Sequence, residues 1–408
     1  MTYIVDGRFK QSNLHPGTVY NPSKTFNGYT LFVPGSKKEA LLIDVKGQVV
    51  HRWKMRHDIR ITAELLPNGN LLCGGMTPEV PLPEISGSAG ELVEVNWDGE
   101  LIWKYEDPYL DAHDWCRTQS GNTLISRFVP IPKDIAAKIK GGIPDTELNG
   151  VMWCDALQEI TPNGKVVWEW LAYEHIDFDE DVICPLCTRD TWTYINSLEV
   201  LPDENILVSF RNIDTIAIID KTTGHYKWRW GRGEIAHQHT PTLLDNGNIL
   251  LFDNGLHRRN PVCLSYSRVL EVNPKTNKIE WEYTDPNTAS FYSCICSNAQ
   301  RLPNGNTLIC ESIKGRILEV TPDKEKVWEY ISPYFGYFHR HNIGWSNMMY
   351  RAYRYGPDYE GLKGRALDPG RFEWIFREKG KPVTEEIQEG AEPSQEEKVL
   401  SRLKKLGY

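Results

Sequence analysis

The chain has 408 residues, 40% hydrophobic and 25% charged, an ordinary balance for a folded chain with ample core material. A formal net charge of −9 argues against nucleic acid or an anionic membrane as a partner, since an acidic surface offers neither of them a cation. No apolar run reaches about eighteen residues, so no transmembrane helix is expected.

The sequence opens Met1-Thr2-Tyr3-Ile4-Val5-Asp6, without the basic start and apolar stretch of a secretory signal, and residues 1–20 read as a short lead. Nine cysteines, an odd number scattered through a long chain, fit reduced thiols, so a cytoplasmic setting is expected. Asn27 to Val33 then reads as a strand that lacks its preceding partner.

From there two patterns alternate. The first is a hairpin ending in Trp, at Ala40–Trp53, Glu91–Trp103, Ala156–Trp168, Thr215–Trp228, Arg268–Trp281 and Arg316–Trp328. The second is a turn of the Leu-Pro-Asn-Gly-Asn kind leading into an apolar strand, starting at Leu65, Thr118, Val200, Leu243 and Arg301. Trp53 to Trp328 spans 275 residues, or 55 per repeat. Two hairpins per repeat make a four-stranded blade. The expected fold is therefore all-β, a six-bladed β-propeller over residues 21–361, with the missing first strand supplied from the region of Ile343 to Tyr355. Residues 362–408 read as a charged C-terminal extension, with a short amphipathic helix at Glu396–Leu406.

The glycine of each Asn-Gly turn, or Glu204 in the third, serves as a ruler. Eight residues before it stand Ile61, His113, Asn196, His239 and Ser297; ten before it stand Ile59, Asp111, Tyr194, His237 and Ile295. Residues two apart on a strand share a face, so both sets are expected to point towards the channel. Polar groups repeated at that register do not fill an apolar layer; they suggest a site. Arg211 follows the inner strand of the third repeat and is a candidate anion ligand.

His239-Thr240, the Leu244-Asp245-Asn246-Gly247-Asn248 turn and Phe252-Asp253-Asn254-Gly255 together resemble the arylsulfotransferase (ASST) family. So do Asn27-Gly28-Tyr29-Thr30-Leu31-Phe32 and Arg351-Ala352-Tyr353-Arg354-Tyr355, which extends the resemblance over Asn21 to Gly361. It implies a propeller that moves a sulfuryl group between phenols without a nucleotide donor. It further implies that His239 is the nucleophile, that His113 assists, and that Arg211 and Asn196 bind the sulfuryl oxygens. The family's exported members carry a further histidine where this chain has Tyr194. The implied relay has His239 attacking the sulfur of an aryl sulfate, with His113 or Tyr194 moving the phenolic proton; His237 is a candidate substrate contact from its place in the channel register alone. Such a relay calls for no cofactor and no metal, only a small phenolic or anionic substrate.

Two other readings stay open on the sequence. His237 and His239, with His113 and Asp111, could hold a divalent ion in a metal-assisted lyase or hydrolase, or the histidines could do acid/base work there. The ring could instead be a non-catalytic scaffold. Cys184-Pro185-Leu186-Cys187 and Cys294-Ile295-Cys296 are a possible metal or redox feature, or loops that shape the cover of the site. His257-Arg258-Arg259 would add cations at the channel mouth or form a solvated turn.

Overall fold

The computed structural model describes residues 2–5, 8–11, 19–35, 37–175, 177–258, 265–338 and 343–369. The helix read at Glu396–Leu406 and the stretch His339-Arg340-His341 lie outside the described residues. No helix among those described is long and apolar enough to cross a membrane.

Six antiparallel sheets form the blades, five of four strands and one of five. Blade 1 comprises Ile59–Leu65, Leu71–Gly75, Glu91–Val95 and Leu101–Glu106; blade 2 comprises Leu110–Arg117, Thr123–Pro130, Trp153–Ile160 and Val166–Leu171. Blade 3 runs from Ile195–Val200 to Tyr226–Trp230, blade 4 from His239–Leu243 to Lys278–Tyr283, and blade 5 from Asn298–Arg301 to Lys326–Ile331. Blade 6 is composite. Ala352–Tyr355 supplies its first strand and pairs with Tyr29–Phe32, the start of the three strands that end at Val49–Lys54. The expected closure is therefore present, and Val19–Tyr20 adds a fifth strand to the outer edge of blade 5.

The repeat residues hold the ring together in three ways. The buried apolar clusters lie in the seams between blades: one joins Leu157 and Trp170 of blade 2 to Ile195 and Phe210 of blade 3, and another joins Leu42 and Trp53 of blade 6 to Leu65 and Val93 of blade 1. The Trp that ends each outer hairpin donates its indole N–H to the next blade's outer turn. Trp53 reaches Asn96 O at 3.2 Å, Trp103 reaches Pro162 O at 2.7 Å and Trp168 reaches Lys221 O at 3.0 Å. Trp228 reaches Asn277 Oδ1 at 2.8 Å, Trp281 reaches Pro322 O at 2.9 Å and Trp328 reaches Val45 O at 2.7 Å, which completes the circle. Each such bond contributes about 1 kcal/mol in addition to burial of the ring.

The third tie is a carboxylate on the third strand. Glu94, Glu159, Glu271 and Glu319 each accept from the final Asn of their own blade's turn (Asn70, Asn122, Asn248 and Asn306) at 2.7 Å. Each also pairs with a base of the following blade: Arg117 at 2.8 Å, Lys221 at 2.5 Å, Arg301 at 2.8 Å and Arg354 at 2.5 Å. The turns themselves need a left-handed residue. Gly69, Gly121, Gly247 and Gly305 provide it at φ of 81° to 87°, and Glu204 takes the same conformation at 65°.

Candidate active site

Strands alternate in direction within a blade, so the connections from strand two to three, and from each blade to the next, emerge at one end. The Asn-Gly and Trp-hairpin turns occupy the other. Gly87, Cys184–Cys187, Arg211, Asp214, His237, His257 and Cys294–Cys296 all belong to the first group. They gather over the starts of the inner strands that carry His113, Asn196 and His239.

Those starts are bulged. Pairing slips between Asp111 and Trp115, between Ile195 and Ser197, and between His239 and Thr242. Ile61, Tyr194, His237, Thr240 and Cys296 all take left-handed φ values between 52° and 61°. Such bulges re-aim side chains, and the strain is held by the surrounding ring. They break the two-residue alternation on which the shared channel face was expected.

His239 is the most tightly specified group, 5% exposed. Asn254 Nδ2 donates to Ser293 O at 2.7 Å and to Cys296 O at 2.8 Å, which fixes its amide with Oδ1 towards the imidazole. His239 Nδ1 lies 2.7 Å from that oxygen and 3.0 Å from His237 O, both acceptors, so Nδ1 carries the proton. Nε2 is left with the lone pair, which accepts from the Cys296 N–H at 3.1 Å. Burial, and then the charge of Arg211, hold the imidazole well below its ordinary pKa, with Arg351 and His113 adding to the effect. The ring is neutral and presents Nε2.

His113 Nδ1 is 2.6 Å from Asp111 Oδ1, which also accepts the His113 N–H at 3.1 Å. Burial raises the Asp111 carboxyl well above the usual range, so a proton is retained within the pair. Gly87, at φ +85°, forms its floor: a Cβ there would sit 2.0 Å from His113 Nδ1 and 2.2 Å from Asp111 Oδ1. Tyr194 packs edge-on against His113 with ring centroids 4.9 Å apart, and its hydroxyl donates to Ser86 O at 3.3 Å.

The Arg211 guanidinium lies over the Tyr194 ring, 5.7 Å from its centroid. Asn196 is fully buried and donates from Nδ2 to Gln238 O at 2.8 Å; its Oδ1 has no partner among the described residues. A second cation, Arg351, stands at the head of the closing strand. It donates to Asn196 O at 2.6 Å and pairs with Asp114 at 3.0 Å. Burial opposes its charge, but Asp114 and Tyr353 outweigh that and hold the guanidinium protonated.

His113, Tyr194, Asn196, Arg211 and His239 are thus connected through shared partners and electrostatics. His237 is turned elsewhere: its Nε2 is 3.1 Å from Cys187 Sγ and its Nδ1 is 2.9 Å from Asp214 Oδ1. The grouping of His237 with His239, His113 and Asp111 around one ion does not form. Among the described residues, the cluster of metal-type ligands that does form is Cys184, Cys187, His237 and His257. His257, read as a channel-mouth cation or a solvated turn, belongs to that cluster. Sequence reasoning missed Arg351, Asn254 and Gly87 as site residues. Arg351 and Asn254 stood within the motifs quoted above, but only the closed ring shows what they touch. The Cys294-Ile295-Cys296 stretch serves through a backbone N–H, while burial pushes the Cys296 thiol up to about 12.

Residues 86–333, more than half the chain, match the arylsulfotransferase (ASST) family. No curated protein matches the chain. Among solved structures, a protein of unknown function from Bacteroides caccae is similar at 13% identity, covering 80% of this chain and 98% of its own, with a TM-score of 0.50. A catalytically inactive virginiamycin B lyase from Staphylococcus aureus, solved with quinupristin, is similar at 11% identity and a TM-score of 0.43, covering 77% of this chain and 87% of its own.

Proposed function

The chain belongs to the arylsulfotransferase family, and from that premise we propose that it moves a sulfuryl group from an aryl sulfate to a phenolic acceptor through a sulfated His239. The observation that carries the reading is the fixed tautomer of His239, with Nδ1–H held by Asn254 Oδ1 and His237 O and the lone pair on Nε2, in a ring kept neutral by burial and the charges of Arg211 and Arg351. Nε2 attacks sulfur, the N–S bond forms as the S–O bond to the phenol breaks, and Nδ1–H stays on Asn254 Oδ1 to steady the positive ring. As the lone pair turns to sulfur, the Cys296 N–H is released from Nε2, and together with Arg211 and Arg351 it takes up charge on the sulfuryl oxygens. The Asp111–His113 pair supplies the proton that the departing phenolate takes and recovers it from the acceptor phenol, while the buried Asn196 holds the Gln238 carbonyl next to His239. Tyr194 positions the His113 ring.

The test is intact-protein mass spectrometry after incubation with 4-nitrophenyl sulfate. A gain of about 80 Da, mapped to the His239 peptide and missing from His239→Ala, is expected. No adduct together with no release of nitrophenol would overturn the proposal. Gly87→Ala is expected to lower kcat/KM for the same donor by about 100-fold, because its Cβ must push the Asp111–His113 pair out of place. Unchanged kinetics in that variant would remove the pair from the mechanism.

A further inference from the structure

We propose that Cys184, Cys187, His237 and His257 bind one zinc ion, in a closed structural site that fastens the loops over the His239 pocket. The four ligand atoms all lie within 4.8 Å of one another. Three of the separations are given by direct contacts: Cys187 Sγ to His237 Nε2 is 3.1 Å, Cys184 Sγ to His257 Nδ1 is 3.4 Å, and Cys187 Sγ to His257 Nδ1 is 3.7 Å. Ordinary Zn–S and Zn–N bond lengths in a tetrahedron place sulfur and nitrogen about 3.5 Å apart. The side chains therefore already stand near the corners of a zinc tetrahedron.

The surroundings fit the same ion. Asp214 Oδ1 accepts from His237 Nδ1 at 2.9 Å, which fixes the tautomer with the Nε2 lone pair directed to the cluster. The same carboxylate oxygen accepts the His237 N–H at 2.9 Å. The imidazoles of His237 and His257 meet edge to face, centroids 5.0 Å apart, each presenting one nitrogen inwards. Both residues hold left-handed φ values, 56° and 59°, which their loops maintain. The Cys-Pro-Leu-Cys turn is closed by the Cys187 N–H to Cys184 O at 3.0 Å and anchored by the Cys184 N–H to Asn212 O at 2.9 Å. Two thiols and two imidazoles saturate four-coordinate zinc, so no position remains for substrate or water. Binding replaces the two thiol protons with the dication and leaves a neutral cluster, suited to a site in which Cys184 and His237 are buried.

The ligands come from three separate connections: between blades 2 and 3, between blades 3 and 4, and within blade 4. Tying them together fixes two pieces of the His239 pocket. His237 O is an acceptor for His239 Nδ1, and Arg211 O accepts at 3.3 Å from the N–H of Asp214, the residue that holds His237 Nδ1. The ion acts as a positioning element; the relay at His239 does not pass through it.

Zinc content by elemental mass spectrometry, on protein purified without chelator, should be about one per chain, falling to near zero in Cys184→Ser/Cys187→Ser. Reduced, chelator-stripped wild type given Co2+ should develop the visible bands of tetrahedral cobalt and a thiolate charge-transfer band in the near ultraviolet. This second measurement decides the matter if the double variant does not fold. Wild type carrying no more zinc than the double variant, with no cobalt bands, would overturn the site. So would an intact mass about 2 Da low that maps to a Cys184–Cys187 disulfide in protein prepared under reductant.

Discussion

His239→Ala is expected to lower aryl sulfate turnover by about 10,000-fold or more, with a much smaller change in KM. The large effect follows from its being the covalent participant, because the remaining groups can bind a sulfate ester but cannot form the N–S bond. Arg211, Arg351 and the Cys296 amide survive the substitution, so ground-state affinity for the anion should persist. The pH dependence gives an independent check. Burial and Arg211 depress the imidazole pKa, so His239 stays neutral at pH values where an ordinary histidine would be protonated. As pH falls through about 6.5, kcat/KM should therefore not fall on account of His239. An acid or basic limb near neutrality would belong to the Asp111–His113 pair, which must pass one proton out and take one back. Asn254→Ala should also slow turnover, by about 100-fold, since it removes the shorter of the two acceptors of the Nδ1 proton and frees the Ser293 and Cys296 carbonyls that Nδ2 holds. Turnover above about one per cent of wild type in His239→Ala would place the nucleophile elsewhere.

Much of this architecture can be read in the sequence because the ring repeats its own bonds. The Trp ending each outer hairpin marks a hydrogen bond to the next blade, and the glutamates of the third strands mark ties to the next blade's base. Their spacing is set by the blade, so they recur at a period that the eye can find. The strand supplied by Ala352–Tyr355 was legible for the same reason, since Asn27–Val33 lacked a partner. The site was legible only in part. The ruler located His113, Asn196 and His239 because they share a register, but it assumed a regular strand. The left-handed residues at Tyr194, His237 and Thr240 are local departures that no periodicity announces. His237 therefore came to face two cysteines 50 and 53 residues away in sequence, a juxtaposition created by the closed ring alone. Arg351 was missed on similar grounds: its partners Asp114 and Asn196 lie in other blades.

Arg354→Met should destabilise the ring by about 3–5 kcal/mol, far more than the same change at the related tie Arg117. Arg354 and Glu319 are both 0% exposed in their side chains, and they meet at 2.5 Å. The guanidinium also donates to Thr30 Oγ1 at 2.9 Å and to Phe26 O at 3.3 Å, and lies 4.2 Å over the Trp328 ring. Glu319 accepts from Phe26 N–H and from Asn306, each at 2.7 Å. One ion pair thus joins the closing strand, the first strand of the chain's own blade 6 segment, and blade 5. Removing the cation leaves a carboxylate buried with two hydrogen bonds and no counter-charge, and that uncompensated charge is the main cost. Arg117 and Glu94 make the equivalent pair with side chains 24% and 10% exposed, where water screens the loss and about 1 kcal/mol is expected. Because the penalty at Arg354 is an orphaned charge, adding Glu319→Gln should restore a good part of it. Urea unfolding of the two single variants, the double variant and Arg117→Met measures all four quantities. Equal losses at Arg354 and Arg117, with no recovery in the double variant, would mean that strand pairing and seam packing close the ring without help from the buried pair.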